Sequence, residues 1–534
     1  MIKKQKALII TCAVVIAALA VAYFIWVHPL LNKMVEIILE PTIGEECYNI
    51  GSDYIRVEED KNGKQVWTNL YTGKECVAPD GASESSFSHL MFPTIELENI
   101  YDLTVHNQYG EFSMYYYNSS NPEESTVYMR GYEETPIISD YSYLMVAARH
   151  PVVYSRMTED LSNLKDYGLD EESVSAWYEI TEVGGRKYKV LIGNLAPTGD
   201  RYYVMVEGQK AIYIADTEIN YLLRSKESYV LPVLSMPTDE NEYYKTERFT
   251  LKKDGEIFVD IDFLTESERA QLGTSSYYKM QEPGDYPVNS TNYDDILKKF
   301  TGFQGTQTVA FGSTEDVMDK AILEEYGLND PKYCIYYNYA GIDNDIYVSD
   351  LITNEETGES CYYAYSLFFN IVAKVDPSTV DFVNWDFLKF VDRPVLAHTN
   401  INSIASISVS GSGVDETFEL NGTDDNLSVL CKSTGKAYSG DGTMNFRLFY
   451  KKMLEIALQD YSQNKTADNM IMTLTVTTKA GEKKEYVFYA ESAGHCYYTV
   501  NGDGEFYVLR DRVERILADA VVLASGGEID SEAT

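Results

Sequence analysis

The stretch "KDYGLDEESV" at 165–174 returns 159 residues later as "EEYGLNDPKY" at 324–333, and this repetition limits the architectures open to the chain. A segment written twice so far apart points to tandem units, each completing its core against its own elements or its neighbour. A helical pattern leads into each copy, "TEDLSNLKDYGL" at 158–169 and "TEDVMDKAILEEYGL" at 314–328. Thr158 and Thr314 are the expected N-caps, with acids following that suit the positive end of a helix dipole. Gly168 and Gly327 fit the left-handed position that ends a helix, with Leu169 and Leu328 packing back behind them.

A second element recurs three times. "RYYVMVEGQKAIYIADTEINYLL" begins at 201, "CYYAYSLFFNIVAKVDPSTVDFV" at 361 and "CYYTVNGDGEFYVLRDRVERIL" at 496. An aromatic pair opens each (Tyr202-Tyr203, Tyr362-Tyr363, Tyr497-Tyr498), and an aspartate falls thirteen residues after the second tyrosine: Asp216, Asp376 and Asp511. Three aspartates in register suggest catalysis, but each precedes a helical pattern, and Pro377 stands where a first helical residue is expected. They are read as N-caps. Strand-like runs precede each tyrosine pair, such as "SAWYEIT" with "RKYKVLI" and "MIMTLTVTT" with "KEYVFYA", and a further pair lies in "TIELENIYDLTVHNQYGEFSMYYYN" at 94–118.

The predicted unit is two strands, an irregular excursion, a helix, a four-strand antiparallel run and a closing helix, an α+β fold. Copies span 93–236, 246–398 and 401–522. The third is divergent, with "DYSQN" at 460–464 replacing the Gly-Leu stop. Residues 34–92 read as a β-rich N-terminal extension with a hairpin turning at Asn62-Gly63. Residues 523–534 read as a disordered tail.

A helix closing in Tyr-Gly-Leu, a strand ending near "LIGN" (191–194), then "YYV", a further strand and an Asp-led helix resemble the domain of unknown function 4340 family. The first two copies carry the whole pattern and the third its second half. The resemblance implies a membrane-anchored bacterial protein associated with ABC-type transport systems of the gliding-motility kind, with transporter subunits as partners. It supplies no catalytic residues.

Ahead of the repeats, "ALIITCAVVIAALAVAYFIWV" at 7–27 carries no charge. At about 1.5 Å per residue it spans roughly 30 Å, the thickness of a hydrocarbon core. Lys3, Lys4 and Lys6 in the stub 1–6 hold that end in the cytoplasm, and Tyr23 and Trp26 suit the outer interface. The apolar run continues past Ala18-Leu19-Ala20, so the segment reads as an uncleaved signal anchor of the bacterial cell membrane, with the bulk extracytoplasmic. With 83 acids against 44 bases the net charge is −39, which repels nucleic acid and argues for a solvated surface. Outside the membrane disulfides are permitted. Cys47, Cys76, Cys334 and Cys361 are the candidate cysteines, the last two because they fall on strands of one repeat; isolated buried thiols are the alternative.

Catalytic motifs give nothing to build on. His28, His89, His106, His150, His398 and His495 are scattered without metal-ligand spacing, and neither Gly-x-Ser-x-Gly nor a phosphate loop occurs. His495 adjoins Cys496, but strand neighbours point to opposite faces. "GIDNDIYVSD", "NGTDDN" and "NGDGE" lack the calcium-loop pattern and read as turns. No cofactor and no metal site is expected. The 45 tyrosines, densest in "MYYYN", "YCIYYNYAG" and "SCYYAYSLFF", suit half-buried strands, or stack on sugars where they face outward. The expectation is a non-enzymatic scaffold or accessory protein of an ABC-type transport or envelope assembly. The alternative is a module binding cell-wall glycan through its tyrosine-rich strands.

Overall fold

A computed structural model describes residues 55–69, 74–76, 90–121 and 125–530. The chain divides into two compact units between Leu231 and Pro232. The segment expected to cross the membrane, 7–27, lies outside the described residues, as do Cys12, Cys47, His28 and His89. Among the described residues no helix is long and apolar enough to cross a membrane.

Near the start of the first unit, strands Ile55–Glu59 and Gln65–Asn69 form a hairpin, joined at one edge by Glu75–Cys76. Asp60 accepts backbone N–H bonds from Asn62 (2.7 Å) and Lys64 (2.9 Å), and Gly63 takes φ +76. A side-chain acceptor and a positive-φ glycine thus set the turn.

Beyond it the described residues build three large antiparallel sheets, one in the first unit and two in the second. In each, the first two strands are a hairpin with period-2 burial. In Ile100–Asn107 and Gly110–Tyr117, Leu103 faces Met114 and Val105 faces Phe112 on the core side, while Thr104 and Ser113 meet at 2.9 Å on the other face. Numbered along the chain, the eight main strands of every sheet lie in the spatial order third, second, first, fifth, sixth, seventh, eighth, fourth. The third sheet adds Ala437–Ser439 beyond its third strand, and the second carries a short flap, Ile352–Thr353.

One helix sits in the crossover from the third strand to the fourth. In the first sheet it is α1 (Tyr141–Arg149), which buries Leu144, Met145, Ala147 and Ala148. In the second sheet α2 (Glu266–Leu272) lies earlier, between the second and third strands. A reciprocal Thr265–Glu268 capping box starts it and Gly273 at φ +67 ends it. The crossover helix there is α3 (Ser290–Lys299), capped by Asn289 and burying Tyr293, Ile296 and Leu297. After the fourth strand comes the short α4 (Lys320–Glu325). The third sheet uses α5 (Thr443–Leu454), burying Phe446, Phe449 and Met453, and closes with α6 (Arg510–Ala524). On α6, Val513, Ile516, Leu517, Ala520 and Leu523 recur at helical spacing and are buried. In the first two sheets the closing segments are 3-10 turns, beginning with Thr217–Leu223 and Asp381–Asn384.

Several expected caps fall elsewhere. Thr158 ends the strand Val153–Thr158, and its hydroxyl accepts from Asp160 N in the turn that follows. Thr314 lies in a turn, and the helix begins six residues later, with Asp319 capping Ala321 N at 2.8 Å. Of the acids after Thr158, Asp160 caps the turn, accepting from Ser162 N at 2.9 Å. Asp511 is inside α6, whose N-cap position is Leu509, because this helix starts directly from its strand. Asp216 accepts from Thr217 N, and Asp376 accepts from Ser378 N ahead of a turn. Of the segment 523–534 expected to be disordered, residues 531–534 lie outside the described residues; Leu523 and Ala524 end α6, and residues 525–530 pack against α5, with Asn445 bonding Gly527 O and Ile529 N and with Ile529 buried.

The Tyr-Gly-Leu segments each plug one end of a sheet face. Leu161, Leu164, Tyr167 and Leu169 cover Leu191, Tyr203, Met205 and Ile212. Ile322, Leu323, Tyr326 and Leu328 cover Tyr347, Tyr363, Tyr365 and Val372. In both, the Tyr of Tyr-Gly-Leu meets the second tyrosine of the aromatic pair: Tyr167 with Tyr203 at 4.9 Å, Tyr326 with Tyr363 at 4.8 Å. Gly168 and Gly327 take φ +69 and +68. A Cβ on Gly193, in "LIGN", would lie 2.2 Å from the Tyr167 carbonyl oxygen, so the plug seats only against a bare glycine. Gly193→Ala is expected to lift it, at a cost of about 1–3 kcal/mol for overpacking. Limited proteolysis should show new cleavage within 159–169, and an unchanged digestion pattern would contradict this account.

Candidate functional site

The tyrosine-rich runs alternate between the two faces of their sheets, with Tyr336, Tyr339 and Tyr363 partly exposed. Tyr333, Tyr337, Tyr362 and Tyr365 are buried in the second sheet. In the first sheet Tyr101 and Tyr117 keep about half their surface in solvent, 50% and 49%. Tyr117 meets Tyr128 edge-on at 6.0 Å, and Arg130 lies over the Tyr115 ring at 4.7 Å while bonding Asp102 at 2.8 Å. This is an exposed aromatic face fixed by a charged pair.

His106 stacks on Trp177, and His150 bonds Thr94 at 2.7 Å in a spot whose burial lowers its pKa. His495 stacks on Tyr507 at 4.1 Å, whereas Cys496 is fully buried, with its thiol pushed up to about 12 by that burial. They form no thiol–imidazole pair. Cys334 and Cys361 are free, so the bridge expected between them is not formed; Cys431 and Cys496 are free as well, and Cys76 is disulfide-bonded. In the acidic stretches, Asp343 accepts from Tyr336 Oη (2.7 Å) and Asn338 Nδ2 (2.6 Å). Among the described residues no cluster of three or more His, Cys, Asp or Glu could hold a metal ion.

The place where side chains from distant segments converge is a cavity of about 220 Å³ in the second unit. The end of α2, the loop Asp285–Val288, the linker Val395–Thr399 and the hairpin between the third sheet's fifth and sixth strands enclose it. The linker joins the second and third sheets and is pinned from both sides. Ser275 N donates to His398 O (2.8 Å), Asn400 N to Gly273 O (2.9 Å), Asp392 N to Pro287 O (2.8 Å) and Val395 N to Ile456 O (2.8 Å). His398 holds φ +63, a conformation uncommon outside glycine, and its Nε2 lies 2.6 Å from Asp392 Oδ2. Opposite, Lys484 Nζ bonds Asp285 through Oδ2 (2.9 Å) and the backbone carbonyl (3.0 Å). Glu482 accepts from Gln271 Nε2 at 3.0 Å, and Thr478 Oγ1 donates to Gln271 O. No sequence motif announces this convergence. The nearest signal is the histidine in "RPVLAHTN", in a linker between two repeats.

The bond to Asp392 holds the His398 pKa above its ordinary value, against partial burial. A histidine whose folded pKa is raised contributes stability that is complete below its unfolded value, about 6.5, and is lost as pH rises through the folded value. The thermal midpoint of the second unit is therefore expected to fall as pH rises from mildly acidic to mildly alkaline. His398→Gln should flatten that slope, and a slope equal to that of the native chain would exclude the histidine as its source.

The fold so described is an antiparallel α+β protein that builds one eight-strand order three times. Residues 146–331 match the family model described as Domain of unknown function (DUF4340). The match takes in both Tyr-Gly-Leu segments, "LIGN", the first tyrosine pair and Asp216. No curated protein and no solved structure matches the chain.

Proposed function

We propose that the protein is a non-enzymatic, membrane-anchored extracytoplasmic accessory or scaffold component of an ABC-type transport or envelope assembly. Residues 7–27 provide the anchor, with the N-terminus cytoplasmic and the repeats outside. The observation that carries the reading is the threefold use of one strand order, a repeated architecture of the kind that builds scaffolds. Tethering confines these repeats near a membrane partner and raises its effective concentration without a new contact. The exposed Tyr101–Tyr117 face favours a second reading, a module that binds cell-wall glycan by aromatic stacking.

Crosslinking the intact protein in its native membrane, followed by mild solubilisation and mass spectrometry, separates the two. The accessory reading expects a recurrent permease or ATPase, with yield reduced by Tyr117→Ala if the aromatic face is the contact. Retained wall polysaccharide with no membrane partner would overturn it and favour the glycan module.

A further inference from the structure

We propose that the cavity between the second and third sheets binds an uncharged polyhydroxylated ring, a single sugar or a cyclic polyol. The ground is a group of buried tyrosine hydroxyls without partners. Tyr286 and Tyr486 line the cavity and are each 2% exposed, and among the described residues neither hydroxyl forms a hydrogen bond. Tyr498, which interacts electrostatically with both, is 1% exposed and likewise unbonded. Buried polar groups nearly always find a partner, because one left alone forfeits its bonds to water. Three phenols gathered at one cavity point to a molecule there that hydrogen-bonds them.

The charges of the lining decide its class. Lys484 bonds Asp285 at 2.9 Å and His398 meets Asp392 at 2.6 Å, so these groups are paired. Lys279 and Glu482 add one charge of each sign, and Lys483 lies on the opposite face of its strand from Lys484. The lining is thus balanced. A charged ligand would leave water for a site with no counter-charge to offer, which is costly. A ligand hydroxyl donates and accepts without charge, as a phenol does, and suits these walls better.

Size and the remaining lining narrow the class further. About 220 Å³ admits one ring and excludes a macromolecule. Leu264, Val288, Val395 and Val476 give the C–H face of such a ring an apolar contact. The ring can be free or the end of a longer glycan. The inference stands independently of the scaffold role, and it uses a different surface from the Tyr101–Tyr117 face.

Isothermal titration of the full chain, in a detergent without a sugar headgroup, with glucose, N-acetylglucosamine and myo-inositol tests it. Saturable one-to-one binding of at least one is expected. Where a sugar binds, its dimer (cellobiose or chitobiose) separates the sources: retained affinity marks the end of a glycan, lost affinity a free ring. Tyr486→Phe keeps the aromatic ring and should weaken binding about fivefold, the loss of one neutral hydrogen bond. Without sugar its thermal midpoint should equal or exceed that of the native chain, since the hydroxyl removed has no protein partner. Absence of saturable binding with all three probes would overturn the proposal, as would a lower sugar-free midpoint in Tyr486→Phe. Binding lost in Tyr117→Ala and unmoved in Tyr486→Phe would also overturn it, by placing the sugar on the exposed face of the first sheet.

Discussion

Each large sheet depends on one long-range pairing, that of its first strand with its fifth. Ile100–Asn107 pairs with Ala176–Glu182, Arg248–Lys253 with Tyr333–Tyr339, and Ile404–Gly411 with Met470–Thr478. This seam joins the opening hairpin to the four-strand run, and everything between the two must be folded out of its way. The crossover helix fills that requirement by lying on the core face, where α1, α3 and α5 bury their apolar sides. Closing so long a loop has an entropic cost that only the completed apolar layer offsets.

The sequence carried the local half of this architecture and concealed the other half. Hairpins were legible because period-2 burial and turn glycines sit side by side, as at Asn62-Gly63. The position of the fourth strand was not. Val153–Thr158 lies at the far edge, beside Ile212–Ala215, and nothing in "VVYSRMT" names a partner so distant in the chain. Reading Thr158 and Thr314 as caps followed from the same limit, since a threonine followed by acids begins a turn as well as a helix. The third copy shows how little offset changes a face. Tyr498 is buried beside Phe488 while Tyr497 stacks on Tyr489, so aligned tyrosines serve opposite sides.

The cavity was illegible for a different reason. Its charged groups come from α2's surroundings, a linker and a hairpin of the next sheet, so their convergence exists only after two repeats have docked within one unit. His398 is the residue on which that junction turns. Its backbone accepts from Ser275 while its ring meets Asp392, so it ties the linker's own curvature to the loop it crosses. By contrast, the glycine at 193 was visible as part of a motif, and the close approach of the Tyr167 carbonyl supplies the reason it is there.

The edge position of the fourth strand has a temporal consequence. Thr158 pairs with Ile212, so a chain made from its N-terminus holds a finished strand without a partner while 54 further residues are added. The second and third sheets repeat the wait, with Gln307–Phe311 pairing Ile371–Val375 and Leu458–Tyr461 pairing Phe506–Leu509. Unpaired strand edges seek other chains. Biogenesis of this protein is therefore three successive intervals of exposure, and a factor that holds extended segments would act on it at three separate moments, not once at the end.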